Sequence, residues 1–145
     1  MTPCRTALAL SLAIAFTAPA AAEQTVSYQN LLEPLFNGNE TVIGQTIAYP
    51  EGTPRITAAI VVLPPASETK WHSHEVPLFV YVFEGEITVD YGSKGTKTYK
   101  AGDSLLEAVD WPHNGTNTGD APTRLLAVYM GAEGKADAAL ASGAQ

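Results

Sequence analysis

The sequence predicts an all-β fold, a barrel or double-sheet jelly roll, on three observations. About nine short runs rich in β-branched and aromatic residues recur at regular spacing. Twelve glycines and ten prolines sit largely between these runs, and clusters of these residues mark turns and strand ends. The stretch that carries the runs has the length of one domain, with no repeat, linker or second domain in view.

Residues 1–22 read as a secretory signal peptide. Arg5 supplies the basic start, residues 7–16 form an apolar run too short to span a bilayer, and Ala20, Ala21 and Ala22 make a small-residue cleavage site before Glu23. The reading places the mature protein in the periplasm or outside the cell, with no membrane attachment after cleavage. The single cysteine, Cys4, would leave with the leader. Neither a disulfide nor a cysteine-rich zinc site is then expected, and the core must hold the domain together.

Removing Arg5 from eight basic residues leaves seven against fifteen acidic ones, a formal charge of −8. That balance opposes binding to nucleic acid or to an anionic membrane.

Residues 23–40 read as a lead-in, with Pro34 interrupting a partly amphipathic segment. The barrel is expected over 41–130. Residues 41–49 are β-branched and read as its first strand. Residues 56–63 are nearly all apolar and fit a strand buried on both faces or one in a barrel wall, stopped by Pro64 and Pro65. Further strands are expected at 69–74, 78–83, 87–91, 96–99, 104–108 and 123–130, with hairpin chemistry at 92–95. Residues 114–122 read as loop. Residues 131–145 read as a flexible tail, helical at best or frayed.

The strand at 69–74 holds two of the three histidines, His72 and His74. Residues i and i+2 of a strand point to one face, so the two imidazoles project together. The third, His113, follows a Gly-Asp turn and a short apolar run. Histidine is the commonest metal ligand, and this placement points to a metal site.

Around these residues the sequence resembles the cupins, small β-barrels with two motifs. The first reads G-x5-H-x-H-x3,4-E-x6-G, and His72, His74 and Gly85 fall on it. The second reads G-x5-P-x-G-x2-H-x3-N, and Gly102, His113 and Asn117 fall on it. Ala66 replaces the leading glycine, Leu78 the glutamate, and Ala108 and Asp110 the proline and second glycine. The resemblance implies a jelly roll whose interior holds a divalent transition metal. His72, His74 and His113 would be its ligands, with iron favoured and manganese, zinc, nickel or copper also suited to such donors. It is compatible with a homodimer formed through exposed sheet edges.

Leu78 cannot ligate, which leaves two readings. In one, three histidines leave the ion open for a small-molecule substrate, as in the three-histidine dioxygenases of the superfamily. In the other, Glu107, in the apolar run 104–109, supplies the lost carboxylate. An ionised carboxylate in such a run is costly unless paired or bound to a cation. If inward, it ligates the ion, holds a ligand's second nitrogen, or acts as a general base; if outward, it is surface. Alternation puts Val76, Val80 and Val82 on the ligand face, with Trp71 and Trp111 nearby in sequence. The expected function is an exported metal-binding oxygenase of small molecules. Two alternatives are a non-catalytic periplasmic binding protein and a metal-free isomerase or lyase on the same barrel.

Overall fold

The computed structural model describes residues 27–142. The expected leader lies outside the described residues. The chain divides at Glu33–Pro34. In the short first unit, Tyr28–Leu31 forms one exposed 3-10 turn.

Among the described residues the second unit holds nine strands: β1 (Pro54–Leu63), β2 (His72–Ser73), β3 (Leu78–Glu84), β4 (Glu86–Asp90), β5 (Thr96–Lys100), β6 (Ser104–Leu106), β7 (Asn114–Thr116), β8 (Thr123–Ala132) and β9 (Ala139–Leu140). A four-stranded sheet has the order β1-β8-β3-β6, a three-stranded sheet the order β5-β4-β7, and β2 pairs with β9. All named pairings are antiparallel. The nonsequential strand order and two main sheets are those of a jelly roll.

Period-2 alternation directs side chains into the space between the sheets. On β3, Leu78, Val80 and Val82 are buried, while Phe79 and Tyr81 on the opposite face are half-buried. Ile87 and Val89 of β4 and Leu125 and Ala127 of β8 join the same core.

Three expectations are corrected and a fourth is narrowed. Residues 41–49 are not a strand. Thr41 bonds back to Gln45, and Gly44 takes a left-handed φ of 82°. The Gln45 side chain then bonds both backbone groups of Val109, at 2.8 and 3.0 Å, in place of a ladder. The strand at 56–63 takes the barrel-wall reading and not the doubly buried one: Ile56, Ile60 and Val62 are 62%, 48% and 56% exposed. β1 ends its sheet, and an apolar run alone does not distinguish a covered face from an open one. Residues 114–116 form β7, held between β4 and the 64–70 loop. The described part of the expected tail, residues 133–142, is neither helical nor frayed: Ala139–Leu140 pairs with β2, and the Arg55 guanidinium bonds the Lys135 carbonyl and the Asp137 carboxylate, at 2.9 and 2.6 Å.

Three backbone positions show how the motif residues work. Gly85 has φ of 76°, and a Cβ there would lie 2.9 Å from the Pro122 oxygen and the Thr123 Cα. Ala66 and Asp110, at motif positions where glycine is expected, take φ of 60° and 50°. Asp tolerates this region, whereas Ala carries a Cβ penalty there. Ala66 follows Pro64-Pro65 and precedes Ser67, whose N–H bonds Pro64 at 3.1 Å, the ring of a turn that favours glycine at its third position.

Gly85→Ala is expected to cost about 2–4 kcal/mol, from left-handed strain plus overlap. Ala66→Gly is expected to add about 0.5–1 kcal/mol. Chemical denaturation measures both, and an Ala66→Gly protein no more stable than its parent would show that the turn stores no strain.

Candidate metal centre

His72 and His113 belong to different segments, yet they face each other directly. The His72 N–H bonds the His113 carbonyl at 3.0 Å, and the His113 N–H bonds the His72 carbonyl at 2.9 Å. This is the hydrogen-bonded pair of an antiparallel bridge. His74 follows on the same face, its carbonyl accepting the Asp110 N–H at 2.8 Å. The ring centroids lie 4.9 Å (His72–His74), 4.5 Å (His72–His113) and 5.1 Å (His74–His113) apart. One ligand atom from each lies within 4.8 Å of the others, a grouping that could hold one ion.

Each ring is oriented by a backbone carbonyl. Nδ1 of His72 meets the Lys70 oxygen at 2.8 Å, Nδ1 of His74 the Asp137 oxygen at 2.7 Å, and Nδ1 of His113 the Trp111 oxygen at 2.8 Å. A carbonyl only accepts, so each Nδ1 carries the proton and each Nε2 keeps its lone pair. That is the tautomer a metal ligand needs, with the outer hydrogen bonds that fix such ligands. Burial holds all three imidazoles below the usual histidine range, His74 down to about 3. Three neutral nitrogen donors with convergent lone pairs fit a transition ion.

The histidines open onto a cavity of about 540 Å³ between the sheets. Leu78, at the motif's glutamate position, lines it with Val80 and Leu105. Glu107 lines it too, and only 5% of that residue is exposed. The Glu107 N–H bonds the Leu78 carbonyl at 2.9 Å, so the carboxylate sits directly across the ladder from the position that lacks one. Its Oε2 lies 3.9 Å from Nε2 of His113 and accepts the Tyr91 hydroxyl at 3.2 Å, while Oε1 accepts the Ala108 N–H at 2.7 Å. Burial raises its pKa to about 7, partly opposed by those bonds. Glu107 is outside the three-atom histidine group; it flanks the centre beside His113.

The remaining sequence candidates divide. Val80 lines the cavity, and Val76 and Val82 are fully buried. Trp71 and Trp111 do not line it; the Trp111 indole N–H bonds the Tyr91 carbonyl at 2.9 Å. Asn117 is buried and structural, its amide bonding the Leu63 and Ala121 carbonyls at 2.8 Å each. Sequence reasoning missed Tyr91, Tyr99 and the Asp137 carbonyl. The tyrosines looked like ordinary alternating strand residues, and a backbone carbonyl carries no sequence signal.

A chain ended at Glu133 loses the carbonyl that orients His74 and the β2–β9 pairing. Its zinc dissociation constant is expected to rise 10–100-fold, the usual effect of losing such a support. Isothermal titration measures it, and an unchanged constant would remove the C-terminal segment from the site.

The metal-free protein should also lose stability in acid. A histidine with lowered folded pKa contributes stability that is complete above the unfolded value of about 6.5 and is lost as pH falls. Glu107 acts oppositely, its raised pKa contributing below about 4.5 and losing that contribution as pH rises through about 7. Three histidines outweigh one carboxyl between pH 5 and 6.5, so the apoprotein melting temperature should fall as pH drops through that window. A flat or rising profile would contradict the burial of the imidazoles.

The cupin domain family matches residues 59–129. The fold is similar to that of an oxalate decarboxylase from Lactobacillus farciminis in its formate complex, at 26% identity and a TM-score of 0.52, over 59% of this chain and 26% of that one. It is similar to the DMSP lyase of Ruegeria pomeroyi DSS-3, at 22% identity and a TM-score of 0.52, over 61% and 45%. An uncharacterized double-stranded β-helix protein from Klebsiella pneumoniae matches over 90% of this chain and 100% of its own, at 19% identity and a TM-score of 0.52. The chain therefore covers about a quarter of the first structure and under half of the second. A search of curated proteins finds no match. The family match, the double-stranded β-helix topology and the histidines at both motif positions make this chain a member of the cupin superfamily.

Proposed function

We propose that the chain is an exported metal-dependent enzyme, an oxygenase of small organic molecules, with iron(II) as its ion. The observation that carries this reading is the set of three orienting carbonyls. They leave the three Nε2 atoms as the free donors of a histidine group whose ligand atoms lie within 4.8 Å of one another at the wall of a cavity. His72, His74 and His113 would hold the ion, leaving its cavity side open, as catalysis requires. The bound ion supplies Lewis acidity and a redox partner for dioxygen. Export rests on the leader-like sequence of residues 1–22.

The chain's own groups do the rest. The aliphatic wall excludes water and strengthens electrostatic contacts near the ion. Glu107 takes the proton of a substrate head group beside His113. Burial sets its pKa near 7, within the range where a general base works best at neutral pH. The Tyr91 hydroxyl holds Oε2 in place, and Tyr99 lies behind it, with its hydroxyl 3.3 Å from that of Tyr91.

Protein loaded with iron(II) without air should consume dioxygen when given a small thiol, diketone or phenol. Glu107→Gln should slow turnover about 10²–10⁴-fold, the usual worth of a positioned base, with iron content unchanged. His113→Ala should lose both iron and turnover. An iron-replete protein that takes up no dioxygen across the panel would sink the oxygenase reading.

A further inference from the structure

The cavity carries information about what it takes. Much of its wall is aliphatic, drawn from both sheets, with Leu63, Leu78, Val80, Val89, Leu105 and Leu125 among its lining residues, and Tyr99 and Tyr129 line it too. At about 540 Å³ it has room for about 18 waters by their liquid share. Two carboxylates also line it. Glu68 is engaged by Lys70 and by the Asn114 amide, the latter at 2.7 Å. Glu107 is the charge buried within, and its oxygens accept from Tyr91 and the Ala108 N–H. Among the described residues, no lysine or arginine lines the cavity.

We infer that this cavity selects a molecule with one protic head group, a hydroxyl, thiol or enol, on an apolar body, and rejects one carrying a carboxylate on that body. This rests on the proposed metal-dependent reading, because the head group is placed at the ion beside Glu107. Two physical facts support it. A group next to the Glu107 carboxylate is favoured if it donates a proton and disfavoured if it brings a second negative charge. A carboxylate on the body would meet no lysine or arginine in the cavity and would lie largely against aliphatic wall, a costly way to bury a charge. Each methylene of an apolar body, by contrast, gains roughly fourfold in affinity when buried.

The test uses the full mature chain loaded with zinc, which binds without redox chemistry. Zinc uptake is measured first, with His113→Ala as the control. Ethanethiol, 1-butanethiol and 3-mercaptopropionate are then titrated calorimetrically. Butanethiol should bind about 16-fold tighter than ethanethiol, two methylenes at fourfold each. It should also bind at least about tenfold tighter than 3-mercaptopropionate, which carries a carboxylate at similar length. Zinc that binds, followed by equal affinities or a preference for 3-mercaptopropionate, overturns this inference alone. Zinc that fails to bind, or binds as well to His113→Ala, overturns the three-histidine centre and this inference with it.

Discussion

The site depends on one pair of hydrogen bonds. The reciprocal backbone bonds between His72 and His113, at 3.0 and 2.9 Å, lock two sequence motifs about forty residues apart into one register. Strand register is all-or-none with respect to face: a one-residue slip turns every side chain to the other side. With this pairing in place, His72 and His113 present their rings together, and His74 follows by the two-residue period. Without it, the same three residues would be scattered surface or core histidines.

Orientation is a separate requirement, met by main-chain carbonyls from three places: Lys70 in the loop before β2, Trp111 before His113, and Asp137 from the C-terminal segment. The last ties the end of the described chain to the centre. The Arg55–Asp137 ion pair is partly exposed and so worth at most about 1 kcal/mol by itself. Together with β9 on β2 it holds the carbonyl that His74 needs. Local energies of this size matter at a site because they fix geometry to fractions of an ångström.

The departures from the motifs have a common physical reading. Ala66 and Asp110 keep the left-handed backbone expected of glycine, one with strain and one with a residue that tolerates it. Leu78 gives up a carboxylate, and Glu107 provides one on the neighbouring strand, opposite it across the ladder. In both cases the geometry of the barrel persists while the residue that serves it changes. The Glu107 carboxylate approaches His113 at 3.9 Å, and its charge also acts on His72.

Much of this was legible from residue order. The strand-and-turn rhythm and the shared face of His72 and His74 follow from period-2 geometry and turn chemistry, which are local, while the second motif ending in His113 and Asn117 was legible through the resemblance to the cupins. Gly85 and Gly102 were legible as turn residues, and the inward face of β3 by alternation through Val80 and Val82. Tertiary contacts decided the rest. Whether the apolar run of β1 is covered, whether Glu107 faces the cavity or solvent, that residues 41–49 close on Val109 by a side-chain clamp, and that a Gly- and Ala-rich end returns to orient His74 all depend on which segment lies opposite. Hydrophobicity and spacing record what one stretch prefers; only packing determines what it meets.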